Sequence, residues 1–136
     1  MILGTKARYA VMAMVELASR GGKQPTPLSE ISKAQEITLP YLEQIFNKLK
    51  KRGIVRSVLG AGGGYVLAKG TDAINIAEIV EAVDESIKMT RCDKEKPVGC
   101  MANENRCATH QLWAGLGETI HNYLEKISLA DILAKK

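Results

Sequence analysis

The amino-acid sequence predicts a mainly α-helical protein with one small β-hairpin, and three observations carry that prediction. Apolar residues recur at three-four spacing in several stretches, most plainly Leu42, Ile45, Phe46 and Leu49, and such a stripe is the face a helix buries. A β-branched alternating run, Ile54 to Val58, and a second short strand, Tyr65 to Ala68, flank a glycine-rich turn at Gly60-Ala61-Gly62-Gly63-Gly64. Of the 136 residues 46% are apolar, enough for the core of one small domain with or without an appended element. No run approaches the roughly 18 consecutive apolar residues of a membrane span.

The elements follow in order. Thr5 is placed to cap a first helix through about Ala18, whose YAVMAMVELA centre is apolar on almost every side and is expected to be buried scaffold, ended by Gly21 and Gly22. Thr26 before Pro27 reads as an N-cap with proline at the first helical position, opening a short helix to about Gln35 with Leu28 and Ile31 inward. Thr38 caps a third helix, since Pro40 is tolerated only in a first turn. Opposite its apolar stripe stand Tyr41, Gln44, Asn47, Lys48, Lys50, Lys51 and Arg52, a polar and basic strip ending at Gly53. The hairpin comes next. Its glycines do not read as a nucleotide-phosphate cradle, because no Gly-Lys-Ser/Thr follows and no helix opens after them.

Helix, short helix, basic helix and hairpin are the order of a winged helix-turn-helix, in which the third helix enters the DNA major groove and the hairpin reaches the adjoining backbone or minor groove. The charge agrees. Residues 1–70 hold eleven Lys/Arg against four Asp/Glu, a net +7, whereas 71–136 hold eight against eleven, a net −3, which together make the overall +4. The front half faces a polyanion. The division expected is therefore a DNA-binding region over 1–70, then a loop at about 88–110 and dimerisation helices within 71–136.

Asn75 with Glu78 is a capping-box-like start to a fourth helix, whose apolar face is Ile76, Ile79, Val80, Val83 and Ile87. Later, Leu112, Trp113, Leu116, Ile120, Tyr123, Leu124 and Ile127 keep helical spacing over more than two heptads. That stripe could pack on its own domain, but it is too wide and too aromatic for a surface helix. The preferred reading is a dimer interface, because helix-turn-helix proteins bind pseudo-palindromic double-stranded DNA as two-fold homodimers. His121 lies off the stripe and is expected in solvent. Ser128 with Asp131 starts a last short turn through Leu133.

Between these helices lies CDKEKPVGCMANENRCATH, which contains every cysteine of the chain, Cys92, Cys100 and Cys107, and then His110. Three thiolates and an imidazole make a four-donor set suited to zinc or to an iron-sulfur cluster. Seven and then six residues separate the cysteines, unlike the close C-x2-4-C pairs of structural zinc sites, and a cluster fits that wider wrap better. Incidental buried thiols are disfavoured, because Asp93, Lys94, Glu95, Lys96, Glu104 and Arg106 cannot fill a core. Disulfides are disfavoured by the odd count and by the lack of a signal peptide, so reduced thiols and a cytoplasmic setting are expected. A thiol redox enzyme would need a C-x-x-C pair or an acid-base pair, and neither is present, so no catalytic residue is assigned. A zinc-stabilised structural or interaction domain stays open from these residues alone.

Five stretches match one family: KARYAVMAM at 6–14, YLEQIF at 41–46, GGGYVL at 62–67, VDES at 83–86, and the run from Arg91-Cys92 to Cys107-Ala-Thr-His110-Gln-Leu-Trp113. On these the chain resembles the IscR family of iron-sulfur cluster assembly regulators over essentially its full length, apart from a longer C-terminal tail in that family. The resemblance implies a dimeric transcription regulator with a 2Fe-2S cluster on Cys92, Cys100, Cys107 and His110. It implies repression of cluster-biogenesis genes when loaded and binding to a different class of DNA site when empty, with Glu43 and Gln44 helping to choose between classes. The DNA-binding set expected is Tyr41, Glu43, Gln44, Lys48 and Lys51 on the third helix, with Arg56, Gly62 and Gly63 on the hairpin. The sequence departs from the family at Pro40, where a DNA-contacting serine is frequent, at Leu59, where an arginine is common, and in its longer cysteine spacing. A nitric-oxide-sensing repressor of the same architecture shares three cysteines but is not expected to use a histidine at 110.

Overall fold

The computed structural model describes residues 4–21, 24–83 and 108–135. In chain order its elements are α1 (Thr5–Ser19), α2 (Leu28–Gln35), α3 (Leu39–Lys51), β1 (Val55–Val58), β2 (Gly64–Leu67), a 3-10 turn (Thr71–Ala73), α4 (Ile76–Ala82), α5 (His110–Glu125) and α6 (Leu129–Ala134). β1 and β2 form one antiparallel hairpin.

α1 is the post around which the rest packs. Its buried side is Ala7, Ala10, Ala13, Met14, Leu17 and Ala18, mostly small residues that let α2, α3, α4 and α6 all approach it closely. One continuous core joins this side to Ile31 of α2, to Leu42, Ile45, Phe46 and Leu49 of α3, and to Ile74, Ile79, Val80 and Leu129 beyond residue 70. Each of these large side chains contributes about 1.5–3 kcal/mol through burial, which outweighs the solvent-exposed Arg20–Glu30 pair that also ties α1 to α2.

The turn between α2 and α3 sets the angle of the helix-turn-helix. Glu36 caps α2 in the left-handed region at φ 55°, an arrangement uncommon outside glycine, and Ile37 follows it into the core. The Ser32 hydroxyl donates to the Ile37 carbonyl at 2.5 Å and holds that turn. At the other end of the molecule, the Ile76 N–H donates to the Ile127 carbonyl at 2.9 Å and the Leu129 N–H to the Ile74 carbonyl at 3.0 Å. This pairing pins α6 against the start of α4 and drives Leu129 to full burial. Ser128 and Asp131 complete a reciprocal capping box, Asp131 N–H to Ser128 Oγ at 3.0 Å and Ser128 N–H to Asp131 Oδ2 at 2.9 Å.

Several local expectations change. Thr26 is not the N-cap of α2: Pro27 takes that position, and Thr26 is extended, 5% exposed and hydrogen-bonded to Tyr65 in both directions at 3.0 Å, a one-residue third strand on the hairpin. Thr5 is the first residue of α1 rather than its cap, which is Gly4, and Thr38 sits at the N-cap of α3 without a side-chain bond to the helix. Only half of the box expected at α4 forms. Asn75 accepts from the Glu78 N–H at 2.9 Å, but the Glu78 carboxylate pairs with Lys69 at 3.0 Å instead of reaching back. Ile87, expected to extend α4, lies outside the described residues.

Candidate nucleic-acid interface and metal-ligand loop

The rotation of α3 is fixed by its buried stripe. With Leu42, Ile45, Phe46 and Leu49 all but fully buried, Glu43, Gln44, Asn47, Lys50 and Lys51 are exposed and Tyr41 and Lys48 are half-buried. Lys48, Lys50 and Lys51 fill the last turn, where the negative end of the helix dipole favours cations. Tyr41 meets Tyr9 of α1 edge-on, ring centres 5.6 Å apart, which fixes the first turn of α3 to the scaffold.

The hairpin is locked to that helix. Its register pairs Val55 with Leu67, Arg56 with Val66, Ser57 with Tyr65 and Val58 with Gly64. Arg56 is exposed on β1. Tyr65 packs against Phe46 with ring centres 4.9 Å apart and planes tilted by 56°, while its backbone pairs with Thr26, so one residue joins the wing, α3 and the segment before α2. Burial pushes the Tyr65 phenol above its usual range, and the negative charge of the Glu43 carboxylate adds to the effect. At the tip, Gly62 adopts φ +76°, and a Cβ on Gly63 would overlap the Val58 carbonyl oxygen. A Cβ on Gly64 would overlap the Thr26 carbonyl, so glycine is required where the third strand closes in.

Of the four expected metal ligands, Cys92, Cys100 and Cys107 lie outside the described residues. His110 is half-buried and is the first residue of α5, with Thr109 at the N-cap. The Trp113 indole N–H donates to the Thr109 hydroxyl at 3.0 Å, bracing that first turn. Among the described residues no three His, Cys, Asp or Glu side chains are grouped to hold a metal ion. The chemistry of the donor set, three thiols and an imidazole, fits an iron-sulfur cluster.

α5 packs on α4 through a helix face of which only Gly117 is fully buried. Leu112 and Tyr123 are 62% and 66% exposed, and Trp113, Leu116 and Ile120 are half-buried. His121 is not simply solvated as expected: its Nδ1 lies 2.9 Å from Glu81 of α4 and its Nε2 3.1 Å from Glu125, so it bridges the two helices. Sequence reading overlooked this bridge because Glu81 is forty residues away. Tyr9 and Thr26 were overlooked as supports of the interface because their partners, Tyr41 and Tyr65, are distant in sequence. Among the described residues no helix is long and apolar enough to cross a membrane.

Comparison with known proteins adds the following. Residues 3–135 match the Rrf2 family, described as an iron-dependent transcriptional regulator. The HTH-type transcriptional regulator IscR of Erwinia tasmaniensis is 47% identical over 133 residues, 98% of this chain and 79% of that protein. Among solved structures, T. potens IscR superimposes with a TM-score of 0.79 at 32% identity, covering 99% of this chain and 88% of the other. CymR, the global cysteine regulator of B. subtilis, has the same TM-score at 31% identity, covering 100% and 98%. Shape alone does not separate the two; the 47% identity to IscR proteins does.

Proposed function

The chain belongs to the Rrf2 family of iron-dependent transcriptional regulators, and from that premise we propose that it is a cytoplasmic, homodimeric repressor of cluster-biogenesis genes, controlled by a 2Fe-2S cluster. Its target is pseudo-palindromic double-stranded DNA. Tyr41, Glu43, Gln44, Lys48 and Lys51 of α3 face the major groove, and Arg56, Gly62 and Gly63 of the hairpin face the adjoining backbone. Cys92, Cys100, Cys107 and His110 hold the cluster, which when bound supplies a charge and an ordering constraint that depend on iron supply. The relatives are named as transcriptional regulators, and no catalytic role is proposed.

One observation carries the reading. His110, the fourth donor, is the first residue of the helix that bears the exposed Leu112 and Tyr123, so occupancy of the loop acts directly on the first turn of the dimerisation helix. α5 in turn packs on α4, and α4 on α3. The test is the visible absorption of anaerobically purified protein with iron and sulfide analysis. Colour with about two iron and two sulfide per chain, bleached by Cys→Ala changes, is expected. Colourless protein containing zinc, or colour that survives loss of any two cysteines, overturns it.

A further inference from the structure

The wing carries an apolar tip that the DNA-binding face of α3 does not explain. Leu59 is 92% exposed, the most exposed large hydrophobic residue among those described, and Val58 beside it is 41% exposed. From Ser57 to Ala68 the chain holds no charged residue, although residues 1–70 as a whole carry +7. The tip is also pre-shaped. The Gly63 N–H donates to the Gly60 carbonyl at 2.9 Å, Gly60 and Gly62 take φ +99° and +76°, and the Gly63 position has no room for a side chain. A stiff turn therefore holds a leucine in water beside a basic helix, where it buries nothing of its own chain.

We propose that Leu59 is a specificity-determining residue that enters the DNA minor groove beside each half-site as an apolar wedge. The proposal rests on the DNA-binding reading above. Side-chain contact with phosphate needs cations or hydroxyl donors, which Val58 and Leu59 are not, so any DNA-backbone contact at Gly62 and Gly63 is made by main-chain groups and leaves Leu59 unexplained, whereas an A·T minor groove offers apolar sugar walls and no protruding donor. A G·C pair places the guanine N2 amino group in the path of the leucine and leaves it without an acceptor, so the wing selects A·T or readily unstacked pyrimidine-purine steps. Arg56, exposed on the same hairpin, and the lysines at the end of α3 bring the phosphates of the flanking backbone to this side of the molecule.

The test begins with duplexes selected from a randomised pool by the anaerobic full-length protein. If no duplex is recovered, the DNA-binding reading itself fails, independently of the wing. On a recovered duplex, 2,6-diaminopurine is placed for adenine at the flanking positions that footprinting assigns to the wing, which adds a minor-groove amino group and leaves the major groove unchanged. The expected result is roughly tenfold weaker binding per half-site, of the size expected for losing most of a buried leucine. Leu59→Ala binds the unmodified duplex more weakly by a similar factor, is indifferent to the added amino group, and keeps the same salt slope because no phosphate contact is lost. Leu59→Arg steepens that slope. The proposal is overturned if Leu59→Ala binds the unmodified duplex as the parent does, in which case the tip serves a protein partner or nothing, or if diaminopurine weakens parent and Leu59→Ala equally.

Discussion

At the scale of single residues, two positions make direct predictions. The Ser128 backbone N–H, followed by its hydroxyl, holds the Asp131 carboxyl below the usual carboxylate range. A depressed folded-state pKa means a contribution that is fully present above the unfolded value, ordinarily 3.8, and is lost as pH falls through the folded value. Asp131→Asn should accordingly lower the urea midpoint at pH 7, and the gap from the parent should shrink as the pH is taken below 3.8; a gap constant with pH would remove the ionised cap from the account. Gly64 is the second position. Because a Cβ there would overlap the Thr26 carbonyl, Gly64→Ala should break the Thr26–Tyr65 pair and cost about 1–3 kcal/mol in denaturant unfolding. Gly60→Ala meets no neighbouring atom and tests the separate effect of a positive φ.

At the scale of elements, α3 was legible because one amphipathic stripe determines both what is buried and what is presented. Burial of Leu42, Ile45, Phe46 and Leu49 leaves Gln44 and Lys51 exposed without any further choice. The hairpin was legible for the same kind of reason, one alternating β-branched run and a second short run on either side of glycines. Thr26 was not. A one-residue strand has no period, and Thr-Pro is as good a helix start as it is an extended pair, so only the distant Tyr65 decides between them. The Cys92 to His110 run can be read as donor chemistry alone, since spacing states which atoms are available and not where they lie. For α3 the prediction separates two kinds of contact. Lys51→Ala should weaken every duplex alike and reduce the magnitude of the log-log salt slope by about 1 per protomer, whereas Gln44→Ala should relax preference at one base position by ~1–3 kcal/mol. Binding titrations on matched and single-substituted duplexes at several salt concentrations distinguish them. Equal losses on all duplexes for Gln44→Ala would deny it a base contact.

At the scale of the whole molecule, the exposed stripe of α5 and the basic face of α3 make joint demands. A dimer that neutralises ~6 to 10 phosphates should show a salt slope near −5 to −9, and Leu112→Glu with Tyr123→Glu should give a monomer in sedimentation that loses most of this affinity. The remaining question is how the loop speaks to α3. The physical route is contiguous, from His110 through α5 to α4 and from α4 to α3 and α1, yet packing continuity alone does not establish coupling. Glu43 offers the discriminating element. Its carboxylate is exposed on α3 and close enough to raise the Tyr65 pKa; in a DNA groove, phosphates and most base edges would repel it and only the cytosine N4 amino group could donate to it. On the proposed reading such a group would exclude the empty protein from one class of sites, and loading of the loop would relieve the exclusion by changing how α3 sits. Linkage then fixes a quantity: a duplex of the cluster-dependent class must tighten cluster retention by the same factor by which the cluster tightens duplex binding. Both factors are measurable, one from binding titrations of loaded protein and of Cys92→Ala, the other from equilibrium cluster loss with and without the duplex. Glu43→Ala should let the cluster-free protein bind those sites and bring both factors toward one. If cluster-free Glu43→Ala still fails on them while the two factors remain equal and large, the coupling is real but runs through the dimer geometry or the wing instead of through this carboxylate.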